Sequence, residues 1–395
     1  MKKPASPNGK DFWRPPGWKW VVVFLLLVCS AVLFFRKPVS RPVRVELLPF
    51  TDSPPAWNGS YPYVVISPVD GGSGRVRFRS SISFLAPTLR HETPVNEFRV
   101  DLHSGRFSLN QTDLFVPDVM PLSLTRTYVA WDPHVKAFGI GTNHPYDICP
   151  TGSRFPYTYM DLNLEDGHTV HMPRISKGTG YADAVFRHGA TSSEFYGAQV
   201  AWNGNGWTLK LRDGHQVFFP ESYSAKNCAQ GAPVAVQDAE AHRIELRRDN
   251  LRNLQQLISP SGYMIDFKYD DQSRVVQATD NSGRTRKYTY SYGHLESLSD
   301  GVHTLYEFEY QILLKAAGYD SYLMTSIKDG NGKELLRNWY SDGGRVSMQR
   351  VGDGEVYRYD YLFDKRGAIV ETMVTLPGGK EKRFFFESGV MVKEK

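Results

Sequence analysis

The sequence predicts an all-β protein in which antiparallel hairpin repeats follow a β-rich domain and one N-terminal transmembrane helix. Three observations support this prediction. Aromatic residues make up 13% of the 395 residues. The chain contains 34 glycines and 24 prolines, and sustained helical periodicity is scarce. Such a composition is typical of many short strands joined by tight turns.

The predicted transmembrane helix, residues 20–36, includes the uncharged stretch from Trp20 to Phe35. At helical rise this stretch spans ~24 Å, and Lys19 and Arg36 can extend it by snorkelling towards the ~30 Å hydrocarbon core. A cleaved signal peptide is the alternative. The long basic tail before the stretch and the lack of a small-x-small cleavage site after it favour an uncleaved anchor. We expect residues 1–19 in the cytoplasm and the C-terminal domain outside it.

The net positive charge of the chain lies in the N-terminal segment that contains this helix. Residues 1–50 hold nine Lys or Arg and two acidic residues, so the rest of the chain carries −2 of the net +5. A nucleic-acid-binding protein carries its positive patch on the folded domain. We therefore expect the membrane as a partner and no nucleic acid.

Three segments follow the helix. Residues 37–62 are rich in proline and lack periodicity, which predicts a semi-extended linker. Residues 63–235 alternate with period two, and Asp213-Gly214 is a strong hairpin turn, so we predict a β-rich domain. Residues 236–395 contain a repeat.

The repeat is defined by turn glycines followed by aromatic residues at positions +5 and +7. Gly262 and four later glycines begin good copies, whereas Gly332 begins an imperfect copy with Arg337 and Trp339. Positions two apart face the same side of a strand, so the sequence predicts one aromatic face and one polar face. An insertion at residues 311–317 is interpreted as a short helix. The predicted aromatic ladder is Phe267, Tyr269, Tyr288, Tyr290, Tyr306, Phe308, Tyr359, Tyr361, Phe384 and Phe386.

These repeats resemble the YD repeats of RHS proteins. Gly262, Tyr269-Asp270 and Arg274-Val275 follow the order of that motif, with Ser273 where the family usually has glycine. The upstream motifs Thr112-Asp-Leu, Arg126-x-Tyr128 and Phe138-Gly-Ile-Gly141 are similar to the region that precedes the repeats in the family. The resemblance covers residues 97–390 and implies a sheet built from successive hairpins.

The resemblance has limits. Asp132-Pro133 continues with His134, whereas the self-cleaving segment of the family reads Asp-Pro-x-Gly. We therefore expect a short, membrane-anchored member without the toxin or the autoproteolytic core. About six hairpins are too few for a closed shell, so a curved or partly rolled sheet is predicted.

Cys149 and Cys228 are the two cysteines outside the apolar segment. One disulfide between them is possible if the domain is exported. Two unpaired residues are the alternative, because spacing alone cannot establish contact.

Candidate chemistry is sparse, and we predict no catalytic residue, cofactor or metal. His168 and His171 are three apart, so on one strand they face opposite sides and make a poor metal site. Asp101, His103 and Asp113 could form a polar cluster, although turn capping explains the acids more simply.

The predicted function is a scaffold at the cell envelope that binds an unidentified protein or carbohydrate partner. The aromatic ladder could stack against sugar, but such residues more often pack a sheet. The alternative is a hydrolase-type enzyme with a His/Asp site within residues 97–235. Exposed aromatic residues outside the ladder would favour the scaffold.

Overall fold

The computed structural model describes residues 63–67, 75–79, 96–189, 195–316, 319–387 and 390–395. All of them belong to one compact unit, residues 44–395. The predicted transmembrane helix and the proline-rich linker lie outside the described residues. Within the described ranges, no helix is both long enough and apolar enough to cross a membrane.

The described residues form four sheets in which every strand pair is antiparallel, as the sequence predicts. The first has six strands in the order β2-β1-β3-β4-β5-β8. Its strands are β1 (Tyr63–Ser67), β2 (Arg75–Arg79), β3 (Asn96–Asp101), β4 (Phe107–Val116), β5 (Leu122–Val129) and β8 (Thr142–Asn143).

Two small sheets follow in sequence. One pairs β6 (Val135–Lys136) with β7 (Gly139–Ile140). The other contains β9 (Cys149–Gly152), β10 (Tyr159–Asn163) and β11 (Thr169–Pro173). A 3-10 turn at Pro145–Asp147 leads into β9.

The largest sheet has 19 strands, β12 to β30, and each strand pairs with the next one in sequence. A single-turn helix, α1 (Cys228–Gly231), lies between β15 and β16. The sheet is continuous across residues 235 and 236, so the boundary predicted there separates sequence motifs within one sheet. The strands are β12 (Val185–Arg187), β13 (Gln199–Trp202), β14 (Gly206–Lys210), β15 (Gln216–Pro220), β16 (Ala235–Gln237), β17 (Arg243–Arg248), β18 (Leu254–Ile258), β19 (Met264–Tyr269), β20 (Val275–Asp280), β21 (Thr285–Ser291), β22 (His294–Ser299), β23 (Thr304–Ala316), β24 (Tyr319–Asp329), β25 (Glu334–Tyr340), β26 (Val346–Val351), β27 (Glu355–Phe363), β28 (Ile369–Thr375), β29 (Glu381–Glu387) and β30 (Val390–Glu394).

The repeat strands turn one face to the core and one to solvent. All ten ladder residues are buried or are half-buried and packed against the core. The residues between them, such as Lys268, Thr289 and Asp360, are exposed. In the imperfect copy the phase is shifted by one residue, because Leu336 and Asn338 are buried there instead of Arg337 and Trp339.

The predicted short helix at residues 311–317 is wrong. Residues 311–316 continue β23, which pairs with β24 from Tyr306 to Ala316. A helix of seven residues is marginal without an extensive packing face. Extending the hairpin satisfies the same backbone groups through the ladder of the sheet.

The 19-stranded sheet packs against residues 98–147, here called the inner segment. Strands β17 and β28 are eleven spacings apart, or ~53 Å in a flat sheet at ~4.8 Å per strand. The inner segment contacts both strands, so it follows the sheet from one of them to the other. Its hydrogen bonds to the large sheet include Arg248 to Asp147, Val275 N to Ala137 O, Met324 N to Tyr128 Oη, Val346 N to Gly105 O and Thr372 Oγ1 to Leu102 O, at 2.6–3.1 Å.

The Gly139 position shows how closely the two layers approach. Its φ is +87°, and a Cβ built there would lie 2.6 Å from the carbonyl oxygen of Gly293. The neighbouring Ile140 N–H donates to that same oxygen at 2.8 Å. Glycine is therefore required at this position both by the backbone conformation and by the space available.

Candidate functional site

Both residues of the Tyr-Asp pair of the repeat have a structural role. The hydroxyl of Tyr269 donates to the carbonyl oxygen of Leu254 at 2.8 Å, and Tyr290 and Tyr361 make the same bond to residues also 15 positions earlier. The +7 position therefore favours tyrosine over phenylalanine, because the hydroxyl satisfies a backbone carbonyl on the core-facing side of the sheet. The constant 15-residue spacing is the signal in the sequence from which these bonds could be predicted.

The aspartate that follows the tyrosine organises the next turn. Asp270 accepts hydrogen bonds from the backbone N–H of Gln272 and Arg274 and from Arg274 Nε, at 2.8–3.0 Å. Burial opposes ionisation of Asp270, but the bonds from Arg274 outweigh it and lower its pKa. Ser273 adopts φ +59°, the left-handed conformation that glycine usually supplies there. These ladder and turn residues therefore stabilise the hairpins through bonds within the protein.

Asp113 and Arg126 form a buried pair that joins the inner segment to the ladder. The guanidinium of Arg126 bonds to both carboxylate oxygens of Asp113, and its Nη2 donates to Gln111 at 2.9 Å. Tyr288 donates to the same carboxylate at 2.9 Å, and Arg126 lies 5.3 Å from the ring centroid of Phe308. The first repeats are thereby bonded to the inner segment.

The charges of this buried pair stabilise each other. Burial alone would lower the pKa of Arg126, but the charge of Asp113 outweighs burial and raises it. Burial, reinforced by Asp113, also raises the pKa of Tyr288 well above its ordinary value. The prediction that Asp113 caps a turn is wrong, because its carboxylate is neutralised by Arg126 in the core.

The other predicted polar residues do not converge. Asp101 accepts from His103 N at 2.9 Å and from Ser104 Oγ at 2.6 Å, which is the turn capping that the sequence predicts. The His103 ring lies 5.5 Å from that of Phe386. These residues make no cluster with Asp113.

The two histidines of the possible metal pair bind different carboxylates. His168 Nδ1 bonds to Asp166, and His171 Nδ1 lies 2.6 Å from Asp161 Oδ1. Burial opposes protonation of His168, but Asp166 outweighs it and raises the pKa of the ring. The structure therefore does not bring His168 and His171 to one site.

Asp238, Glu240 and His242 place possible ligand atoms within 4.8 Å of one another. However, Asp238 accepts from both the backbone N–H and Nδ1 of His242, each at 2.8 Å. This is the same Asp-to-i+4 turn that Asp270 makes with Arg274. The turn explains the group without a metal.

Cys149 and Cys228 are joined in a disulfide, with a Cα–Cα distance of 5.3 Å. The bond ties the start of β9 to the start of α1. It thereby connects two stretches of chain that both contribute residues to a pocket.

That pocket, here called the aromatic pocket, is lined by aromatic rings outside the ladder. Its volume is about 270 Å³. Phe155 is 73% exposed, Tyr223 54% and Tyr181 46%, whereas Tyr157 and Trp207 form the buried floor. The rings contact one another in a chain, with centroid separations of 5.0–6.2 Å: Tyr223 to Phe155, Phe155 to Tyr157, Tyr157 to Trp207 and Tyr181, and Trp202 to both Tyr181 and Trp207.

Two arginines hold the walls of the aromatic pocket in place. Arg154 donates to the carbonyl oxygens of Ser222 and Tyr223, so the loop carrying Phe155 is bonded to the loop carrying Tyr223. Arg174 donates to the carbonyl oxygens of Tyr157, Lys177 and Gly180 at 2.6–3.1 Å. The exposed rings therefore project from a braced framework.

A second, larger cavity of about 990 Å³ adjoins the aromatic pocket. Pro150, Thr151, Gly152, Arg154 and Ser222 line both. The larger cavity, here called the polar cleft, is rich in amide and hydroxyl side chains: Asn143, Asn163, Asn227, Asn253, Gln272 and Ser273. The sequence did not predict either cavity.

The chain is similar to one family model and to several solved structures. A family model described as a domain of unknown function (DUF6531) matches residues 99–172, and no curated protein matches the chain. The chain is similar to the crystal structure of TcdB2-TccC3-Cdc42, with 11% identity over 76% of this chain and 20% of that one, at a TM-score of 0.31. It is also similar to a Photorhabdus luminescens Tc holotoxin pore, with 8% identity over 77% of this chain and 22% of that one, at a TM-score of 0.21. A third similar structure is a porin-like protein from Bacteroides uniformis, with 10% identity over 74% of this chain and 93% of that one, at a TM-score of 0.16. The chain thus spans about a fifth of each toxin chain, and its function has to be argued from its own geometry.

Proposed function

We propose that this chain is a short RHS-like scaffold, anchored in a membrane with its β domain outside the cytoplasm, that binds a protein or carbohydrate partner through the aromatic pocket. The exposure of Phe155, Tyr181 and Tyr223 around one braced cavity supports binding there. Clustered exposed aromatic rings are costly in water and are typical of recognition surfaces.

The scaffold part of the proposal is supported by the use of the repeat residues. Tyr269 and Asp270, which carry the resemblance to the YD repeat, are bonded to the backbone. The ladder faces the inner segment, so its rings are not available to a partner. Binding is therefore assigned to residues outside the repeat.

The location rests on the sequence and on the cysteines. The uncharged stretch from Trp20 to Phe35 has basic residues on both sides, as a signal-anchor does. The pairing of Cys149 with Cys228 suits an oxidising compartment outside the cytoplasm.

Photo-crosslinking in intact cells tests partner binding. A photoreactive phenylalanine analogue at position 155 should capture a specific partner. The same analogue at position 292, where Tyr292 is 86% exposed and distant in sequence from the pocket, is the control. Identical adducts at both positions would contradict the assignment. Failure to recover any partner, together with substrate hydrolysis that is lost in a His103→Ala variant, would favour the hydrolase-type alternative within residues 97–235.

Protease accessibility tests the topology. In cells stripped of their outer layers, protease added outside should degrade the β domain and leave residues 1–36 protected. Complete protection of the β domain would place it in the cytoplasm and contradict the proposed location.

A further inference from the structure

The charges that line the aromatic pocket indicate an uncharged ligand. Arg154 and Glu221 are the charged residues among the described residues that line it, and their charges cancel. The Arg154 guanidinium lies 4.7 Å from the ring centroid of Tyr223. Arg154 thus already occupies one face of Tyr223, and a cationic ligand beside that ring would meet a positive charge.

The size of the pocket indicates a small unit. Its volume of about 270 Å³ lies near the lower end of the ~300–1,000 Å³ that small-molecule clefts usually occupy. A stable protein interface buries ~1,200–2,000 Å², which needs a far larger surface. The rings form one connected group, with centroid separations of 5.0–6.2 Å, beside this one small pocket.

The combination of groups fits a pyranose ring. Such a ring has a flat C–H face and an edge of hydroxyl groups. Aromatic faces such as those of Phe155 and Tyr181 suit the first. Arg154 has N–H donors beyond the two that it gives to Tyr223 and Ser222, and Glu221 has a second carboxylate oxygen beyond the one that accepts from Tyr223 N. These remaining groups suit neighbouring hydroxyls. A specific small-molecule site usually has a few polar groups among many apolar and aromatic side chains.

The adjoining polar cleft provides room for further sugar units. It shares the wall formed by Pro150 to Gly152, Arg154 and Ser222 with the aromatic pocket. Asn163 and Asn227 in this cleft hydrogen-bond within the protein, whereas the Oδ1 of Asn143 has no partner among the described residues and is left as an acceptor. A chain of sugars could therefore continue from the aromatic pocket along the cleft.

We infer that the aromatic pocket binds one uncharged pyranose unit of an oligosaccharide, with the following units in the polar cleft. The inference rests on the proposed function, because it names the chemical class of the partner at that same pocket. Phe155, Tyr181 and Tyr223 stack against the sugar, and Arg154 and Glu221 bind its hydroxyls.

Calorimetry on the purified full chain, in a detergent without a sugar head group, tests the inference. The probes are the β-1,4-linked glucose, β-1,4-linked N-acetylglucosamine and α-1,4-linked glucose hexamers. Choline and a proline-rich peptide serve as non-sugar probes. At least one hexamer should bind, and Tyr181→Ala and Tyr223→Ala should each raise its Kd roughly tenfold. Tyr292→Ala is the exposed-aromatic control and should leave the Kd unchanged.

Several results would overturn the inference. They are binding of none of the hexamers, binding of choline or the peptide instead, or a Kd that does not respond to the pocket substitutions. Because Tyr181 and Tyr223 are exposed, their alanine variants should keep the thermal midpoint of the parent, which separates loss of binding from loss of folding. If crosslinking at position 155 captures a protein while no hexamer binds, the proposed function stands and the sugar inference fails.

Discussion

The repeat hairpins and the 150–223 region use the same residue types for opposite purposes. In the hairpins, Tyr288 and Phe384 are buried, and the alternate positions are polar. In the 150–223 region, Phe155, Tyr181 and Tyr223 are exposed around a cavity. An aromatic residue thus carries little functional information until the face it occupies is known. The repeat is a framework, and the candidate binding surface lies beside it.

The largest expected effect breaks the framework at its link to the inner segment. Asp113→Ala leaves the buried guanidinium of Arg126 without its carboxylate. Removing one partner of a buried pair typically costs 3–5 kcal/mol, so we expect a loss of about 4 kcal/mol in the free energy of unfolding. Chemical denaturation measures it. Asp161→Ala, which removes the carboxylate of an exposed pair, is the control and should cost less than about 1 kcal/mol.

The second effect separates stability from binding in the 150–223 region. Cys149→Ser opens a disulfide that closes a sequence separation of 79 residues. Such bonds typically contribute about 2–4 kcal/mol by restricting the unfolded chain. The variant should also bind the partner of the aromatic pocket more weakly, because the bond connects the two stretches of chain that carry Phe155 and Tyr223. Equal affinity in the variant and the parent would show that the disulfide does not position the pocket.

The third effect depends on pH and lies within the repeat sheet. His294 packs 4.7 Å from the ring of Tyr310, and burial lowers its pKa from about 6.5 to about 4. Between about pH 6.5 and pH 4, His294 therefore binds a proton in the unfolded chain but not in the folded chain. The stability contributed by neutral His294 is present above pH 6.5 and is lost as the pH falls towards 4, by at most ~1.4 kcal/mol per pH unit.

Denaturation midpoints between pH 7 and pH 4 check this expectation. A His294→Phe variant should show a shallower fall in stability than the parent. His303→Phe, at an exposed turn, should keep the parental slope. An unchanged slope in His294→Phe would show that the buried ring does not carry this dependence.

The smallest effect concerns a single hydroxyl of the ladder. Tyr290→Phe keeps the ring but leaves the carbonyl oxygen of Val275 without its donor. We expect a loss of about 1 kcal/mol in the free energy of unfolding. Phe308→Tyr tests the reverse at a +7 position that lacks the hydroxyl, and a gain or loss there would show whether each copy of the repeat can accept this bond.

The sequence predicted the local part of the framework well. Alternation of Phe267, Lys268 and Tyr269 is a property of three neighbouring residues, so periodicity was enough to assign their faces. The antiparallel arrangement followed from the turn glycines in the same way. The error at residues 311–316 arose because a short insertion gives no periodic pattern, and only pairing with β24 decides its structure.

The long-range part could not be predicted. Asp113 and Tyr288 are 175 residues apart, and nothing in either local motif indicates that they meet. The rings of the aromatic pocket come from separate loops near residues 155, 181 and 223, without a common spacing. Composition recorded the aromatic residues, but only the fold distinguishes those in the core from those at the surface.

The contrast between buried and exposed aromatic residues can be measured directly by oxidative footprinting, in intact cells and on the purified chain. We expect Phe155, Tyr181 and Tyr223 to be labelled in the purified chain and protected in cells, where the partner is present. Tyr292 should be labelled in both, and Tyr288 and Tyr359 in neither. Equal labelling of the pocket residues in cells and in the purified chain would contradict the assignment of the aromatic pocket as the binding surface.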